Sequence, residues 1–326
     1  MKKYKIGIIG AGKIAAKMAA TIAGMEEAEC YAIASRDQQK ADEFAQKWGF
    51  PKAYGAYEAM VDDPDVDLVY VATPHNFHFE HSSLCLHHHK PVLCEKAFTG
   101  NARQAEQLFA LAKEQKTFIT EAIWTRYLPL SATLKELVDS GIIGTPYMIA
   151  ANLGYPIQTV ERMQRPELAG GALLDLGVYA LNFAAMLFGT EVKEMHAHCI
   201  KAPTGVDAQT SITQIYPDNR MALLGCSMYA KTDKQGIISG DRGQIIVEDF
   251  NHPQSITVYD SNYQPVKHIL HPPHITGYEY EVRASIEAIE HGWLESPYMP
   301  HAESIRIMKQ MDEIRRQLGI VYPFDE

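Results

Sequence analysis

Along the first third of the chain, short apolar runs of strand length alternate with longer stretches whose apolar residues recur every three or four positions. Residues 4–9, 29–35, 67–72, 91–95 and 117–121 read as strands, and 14–23, 37–48, 77–89 and 101–115 as helices, with Asp37 and Asn101 as N-caps. Strands separated by helices predict βαβ units and a parallel sheet. Beyond about residue 123 the rhythm changes. A helix over 130–140 ends at Gly141, and strands then dominate at 146–153, 194–200, 209–216, 221–229, 244–248 and 255–259, interrupted by a helix over 173–187. Late helices over 278–291 and 300–318 close the chain, the last with Ile305, Met308, Met311, Ile314 and Leu318 on one core-facing stripe. The pattern predicts two domains: an α/β domain with a parallel sheet at 1–122, and an α+β domain at 123–326 with a large, mostly antiparallel, open-faced sheet.

Composition narrows the function classes. The chain has 326 residues, 46% hydrophobic and 21% charged, which is ordinary globular composition, and a net charge of −10 that argues against a nucleic-acid partner. No run is expected to cross a membrane, and the apolar stretch at 6–9 is too short for a signal peptide. Five cysteines, Cys30, Cys85, Cys94, Cys199 and Cys226, are odd in number and widely spaced. They fit free thiols in a reducing compartment, and the cytoplasm is the expected location.

Gly10-Ala11-Gly12-Lys13-Ile14-Ala15 follows the first strand and opens the first helix. This is the G-x-G-x-x-G/A fingerprint of a dinucleotide-binding Rossmann domain in its required context. Gly10 permits the turn, Gly12 lets backbone approach a pyrophosphate, and Ala15 lets helix and strand pack closely. Cofactor choice belongs to the end of the second strand, Ala34-Ser35-Arg36-Asp37. Ser35 and Arg36 suit the 2′-phosphate of NADP. Asp37 would suit the ribose of NAD if the strand ended one residue later; as a helix cap it leaves NADP favoured, with NAD possible.

Candidate chemistry lies in two further segments. Cys94-Glu95-Lys96 ends a buried strand at the carboxyl edge of the sheet, where ligands bind in such folds. Within Gly170-Gly171-Ala172-Leu173-Leu174-Asp175-Leu176-Gly177-Val178-Tyr179, Asp175 and Tyr179 are four apart and share one helix face. Together with Thr73-Pro74-His75, His78, the run from Glu121 through Trp124-Thr125-Arg126, and Gly277 to Glu281, these residues resemble the Gfo/Idh/MocA oxidoreductases over essentially the whole length. Within them the chain is most similar to the dimeric dihydrodiol dehydrogenase and NADP-dependent D-xylose dehydrogenase branch. The resemblance implies coenzyme contacts from Thr73, Pro74, His75, His78, Glu95, Lys96, Trp124 and Arg126, and a catalytic group of Lys96, Tyr179 and Asp175. Two departures stand out. Ala97 replaces the proline of a Glu-Lys-Pro motif, and Tyr179 and Asn182 stand where many members carry His and Asp.

The pair makes chemical sense. Oxidising an alcohol removes the hydroxyl proton as hydride leaves carbon. A free tyrosine, titrating near ~10, serves as base only if a cation such as Lys96 favours its phenolate. Asp175 would hold a substrate hydroxyl or orient Lys96. Tyr155, Arg162 and Arg165 either line a substrate pocket or belong to a surface loop. Metal binding is not expected. His87-His88-His89 cannot converge on one ion because successive helical residues point apart, and His268, His271 and His274 straddle Pro272 and Pro273 in what reads as a loop. The expected activity is hydride transfer between NADP and a hydroxyl-bearing carbon of a sugar, polyol or dihydrodiol. Two alternatives remain: a non-catalytic NADP-binding sensor or regulator, and an NAD-dependent inositol-type dehydrogenase. Too few helices accompany the second domain's strands to cover both faces of its sheet, so a homodimer or dimer of dimers through that sheet is expected, as the resemblance also implies.

Overall fold

In the computed structural model, which describes residues 3–325, the apolar runs of the first third pair into one parallel sheet. Its elements in chain order are β1 (Tyr4–Ile9), α1 (Lys13–Ala23), β2 (Ala28–Ala34), α2 (Gln38–Trp48), β3 (Lys52–Tyr54), α3 (Tyr57–Val61), β4 (Leu68–Val71), α4 (His78–His87), β5 (Val92–Glu95), α5 (Ala102–Gln115) and β6 (Ile119–Ala122). The strand order β3-β2-β1-β4-β5-β6 places β1 between strands reached in opposite directions, and a crevice opens at that switch point beyond the carboxyl ends. The Gly10 amide donates to Ala34 on one side, and the Ala72 amide to Ile9 on the other, both at 2.9 Å. Asp37 and Asn101 cap α2 and α5 as expected, accepting from the Lys40 and Gln104 amides at 3.3 and 3.0 Å.

The second sheet belongs to a separate compact unit. After α6 (Pro129–Asp139) come β7 (Pro146–Gly154), α7 (Val178–Phe188), β8 (Glu194–Lys201), β9 (Asp207–Ile215), β10 (Met221–Ser227), β11 (Gly236–Gly240), β12 (Gly243–Glu248), β13 (Ser255–Asp260) and β14 (Pro265–Leu270). They form an eight-stranded sheet in the order β14-β13-β12-β11-β7-β10-β9-β8, antiparallel except where β7 meets β10. The helix α7 packs on β7 and β10 over Ile149, Ala151, Ala222 and Leu224, all buried. The opposite face carries no helix among the described residues. Register aligns Leu223, Ala150, Ile237 and Ile246 in one apolar row across four strands, and Leu223 is 41% exposed.

Three differences from the sequence reading have physical causes. The units are Met1–Trp124 with His274–Ile305, and Thr125–Pro273 with Arg306–Glu326, where a single cut after residue 122 was expected. The returning segment carries α8 (Glu279–His291), whose Val282 and Ile286 enter the core formed by Ile6, Ile8, Met18, Ile22 and Tyr70. Pro166–Phe188 is long and apolar enough to cross a membrane, contrary to expectation, but 89% of its most apolar window is buried in the fold, as in a core helix. The strand β14 was also missed, so His268 stands on a strand and not in a loop. A mostly exposed edge strand lacks the alternation that marks a half-buried one. The final helix, α9 (His301–Leu318), buries Met308, Met311 and Ile314 of the predicted stripe.

The caps give a stability prediction. Asp37→Ala and Asn101→Ala each remove a side-chain acceptor from a helix N-terminus and should lower unfolding free energy by about 1 kcal/mol in urea titrations. An unchanged midpoint in either variant contradicts the capping role.

Candidate active site

The glycine loop turns where β1 ends. Gly10 has a φ of +100°, and a Cβ there would stand 3.0 Å from the Ala72 carbonyl oxygen, so the turn requires glycine. Gly12 differs, because a Cβ there would meet nothing within 4 Å. No packing within the protein demands its bare backbone. What it keeps clear is the approach to the first amides of α1, a helix with no side-chain cap and no acid in its first turn. Orphan N–H groups, the positive end of a helix dipole and an open approach make an anion site that fits a pyrophosphate. Ala15 is buried beneath it, Ala11 and Ile14 are half-buried, and Lys13 is exposed at the rim.

At the end of β2, Ser35 is nearly buried and Arg36 exposed. The Ser35 hydroxyl accepts from the Asp37 amide at 3.3 Å, while the Asp37 carboxylate is engaged as the α2 cap. Arg36 lies over the Phe77 ring at 5.4 Å, and His81 stacks on the same ring at 5.6 Å. Burial, then His78 and Arg36, push His81 down to about 4, so Arg36 supplies the positive charge of this corner.

The segment after β4 holds Thr73, Pro74, His75 and His78. Thr73 Oγ1 lies 2.9 Å from His81 Nδ1, and His75 is buried. His78 has no exposed surface. Its Nδ1 lies 2.9 Å from the Ala97 carbonyl oxygen and its Nε2 2.7 Å from that of Thr73. Burial pushes it down to about 4 despite both carbonyls. The ring is a strut between the β4 loop and the turn after Lys96, with no surface left for the direct coenzyme contact that the resemblance implies. Lys96 is half-buried directly after Glu95, which accepts a hydrogen bond from the Tyr70 hydroxyl. The Lys96–Ala97 peptide is cis. Trp124 stacks on Tyr278 with ring centres 4.4 Å apart.

In the second unit, Leu173–Gly177 winds as one wide π-turn before α7, where a continuous α-helix was expected. Such turns are frequent at functional sites. Asp175 is 5% exposed, and Arg162 Nη2 donates to both its oxygens at 3.1 Å. Arg162 thus joins the candidate site, whereas Arg165 pairs with Glu161 and Glu167 at the surface. From Ala169 to Ala185 every residue is buried except Tyr179, which is half-buried. A single phenol reaches the surface from an otherwise sunken segment. Arg126 Nε donates to Asn182 Oδ1 at 2.7 Å, so the residue that departs from the family pattern anchors the arginine.

Sequence reasoning missed Asp207. Its Oδ2 accepts from the Leu173 amide at 2.7 Å and the Thr210 hydroxyl at 2.8 Å, which fixes the start of the π-turn. Burial pushes its carboxyl up to about 6 against these two donors. A Cβ on Gly171, whose φ is +114°, would come within 2.3 Å of Asp207 Oδ1. The only signal in the sequence was a lone acid opening a strand. Glu279 was quoted without a role, and it accepts from the amides of Ile275, Thr276 and Gly277 at 2.7–3.1 Å.

Comparison with known proteins agrees with this architecture. Residues 4–122 match the oxidoreductase family with an NAD-binding Rossmann fold, and residues 131–246 match the GFO/IDH/MocA C-terminal domain. The chain is 36% identical to trans-1,2-dihydrobenzene-1,2-diol dehydrogenase of Xenopus tropicalis over 98% of this chain and 99% of that protein. It is 32% identical to the Homo sapiens enzyme of that name, over 98% of each chain. Among solved structures, KijD10, a 3-ketoreductase from Actinomadura kijaniata in complex with TDP-benzene and NADP, superposes with a TM-score of 0.86 at 25% identity, covering 97% of this chain and 98% of that one. The aldose-aldose oxidoreductase from Caulobacter crescentus shares the fold with a TM-score of 0.87 at 20% identity, covering 98% of both chains. The chain belongs to the GFO/IDH/MocA oxidoreductase family and is a nicotinamide-dependent dehydrogenase.

Proposed function

We propose that the protein is an NADP-dependent dehydrogenase acting on a hydroxyl-bearing carbon of a trans-dihydrodiol, sugar or polyol, with Lys96, Tyr179 and Asp175 as its catalytic group. The observation that carries this reading is the isolation of Tyr179: one half-buried phenol in a buried stretch, a turn beyond an aspartate that Arg162 holds with both oxygens engaged. The dihydrodiol is named for the relatives that match along the whole chain, and NADP for the cofactor bound to KijD10.

NADP supplies the hydride acceptor. The open amides at the start of α1, with Gly10, Ala11, Gly12, Lys13 and Ile14, would hold its pyrophosphate, and Ser35 and Arg36 its 2′-phosphate. The Phe77 ring beneath Arg36 leaves the guanidinium edges for a bidentate contact. Tyr179 takes the hydroxyl proton of the substrate. Lys96 would contact the nicotinamide ribose, and Asp175 would fix a second substrate hydroxyl. Thr73, Pro74, His75, Glu95, Trp124 and Arg126 are the further residues we assign to cofactor contact.

The assembly we propose is a homodimer, or a dimer of dimers, built on the uncovered sheet face. The apolar row through Leu223, Ala150, Ile237 and Ile246 is a surface that a monomer does not ordinarily leave to water. Two copies meeting about a twofold axis would bury it symmetrically. A cytoplasmic location fits five free cysteines.

Three measurements test these readings. Arg36→Ala should weaken NADP by about one to two decades in calorimetry and leave NAD nearly unchanged, because a charged contact is worth about 1.5–3 kcal/mol. Tighter binding of NAD than NADP by the unmodified chain contradicts the NADP assignment. Tyr179→Phe should lower kcat by about 10²–10⁴ with cofactor affinity nearly intact, measured on a substrate found by screening aldoses, inositols and a trans-dihydrodiol. Near-normal turnover removes Tyr179 as the base. Light scattering should give a mass at least twice that of the chain, and Leu223→Asp should yield folded monomer. A monomeric parent protein contradicts the assembly.

A further inference from the structure

The segment that follows α9 returns to the start of the candidate catalytic stretch. Tyr322 is buried, and its hydroxyl donates to the Gly170 carbonyl oxygen at 2.6 Å, across 152 residues of chain. Residues 320–325 form neither helix nor strand, so side-chain contacts must order them. Arg315 of α9, also buried, lies over the Tyr322 ring at 4.8 Å, and Phe324 stacks on that ring at 5.3 Å. Arg315 donates to Asp312 at 2.7 Å and to Asp325 at 2.5 Å, and Asp325 accepts from the Tyr322 amide at 2.8 Å. Burial, with the charge of Asp207, pushes the Tyr322 phenol well above its usual value, so it stays a neutral donor.

The acceptor sits at a junction where several restraints meet. The Gly170 amide donates to the Arg165 carbonyl and the Gly171 amide to that of Met163, both at 3.0 Å. A Cβ on Gly170 would stand 2.6 Å from the Arg162 carbonyl oxygen, so backbone lies against backbone here. Three residues on, Asp207 holds the Leu173 amide. The loop on one side of this junction supplies Arg162, and the π-turn on the other supplies Asp175, its ion-pair partner. Two successive glycines are also the point of greatest backbone freedom in the stretch. The Tyr322 hydroxyl fixes that point, and its removal would take a donor from a buried carbonyl.

We propose that Tyr322 is a positioning residue for the dehydrogenase reaction: by locking the Gly170–Gly171 junction it sets the placement of Asp175 on Arg162 and of Tyr179 toward substrate. The effect on turnover rests on the proposed roles of Asp175 and Tyr179; the lock itself does not.

The test compares the full chain with Tyr322→Phe, which keeps the ring and loses only the hydroxyl. Hydrogen exchange of the amides at 170–175 should quicken by about two- to tenfold, the loss of one neutral hydrogen bond, while that of α5 stays at the parental rate. On a screened substrate kcat should fall by about ten- to a hundredfold, as small misplacements of reacting groups do, with less change in KM. The NADP dissociation constant should stay at the parental value, because the glycine loop belongs to the other unit. Asn101→Ala is the control for stability: it loses a comparable hydrogen bond far along the chain and should keep parental kcat. Asp325→Ala removes the acceptor of the Tyr322 amide without touching Gly170 and should follow Tyr322→Phe in both readouts, which keeps the test open if the Phe variant fails to fold. Parental exchange at 170–175 in both tail variants overturns the lock. Faster exchange with parental kcat, or an equal loss of kcat in Asn101→Ala, overturns the positioning role. If no substrate turns over in the parent protein, the functional reading has failed, and the exchange rates still decide the lock.

Discussion

A carboxylate taken out of water must find donors, find a cation, or keep its proton, and the candidate site is built from the first two of these solutions. Asp175 takes the cation, with both oxygens on Arg162. Asp207 takes donors, and the backbone amide it holds begins the π-turn that leads to Tyr179. Glu279 takes three amides and thereby fixes the turn that brings Tyr278 against Trp124. Each solution immobilises a segment that would otherwise be a loose connection. An apolar residue in any of these places could fill the space but would hold no backbone. The buried acids supply the site's rigidity, and the residues proposed to meet substrate and cofactor stand on what they hold.

The same constraint separates what was legible in the sequence from what was not. Local chemistry reads well. Strand β1, the glycine loop and the caps Asp37 and Asn101 depend on neighbours within a few residues, and the pattern carries them. So does the change of rhythm after residue 122. The Asp207 contact with Leu173 spans 34 residues, and no periodicity announces it. The strands β3 and β14 escaped because edge strands bury too little to show alternation. His78 was legible as a residue of interest but not in its part. A histidine beside a glycine loop reads as a ligand contact, and only its complete burial between two carbonyls reveals a strut. Asp37 gives the opposite lesson. Two roles were open to it, and one amide 3.3 Å away decided for the cap.

The return of residues 274–305 to the first unit bears on how the chain is made. During synthesis β1 to β6 emerge long before α8, and at ordinary elongation rates the interval is on the order of ten seconds. Throughout it Met18 and Ile22 of α1 lack Val282 and Ile286, their neighbours in the finished core. The nascent dinucleotide-binding half is thus a sheet with one seam open, presenting apolar surface at the moment when other chains and chaperones can reach it. Severing the chain after Trp124 would make that interval permanent. The first unit is a domain in space but not a segment in sequence, and its last piece arrives only after every strand of the second sheet has been made.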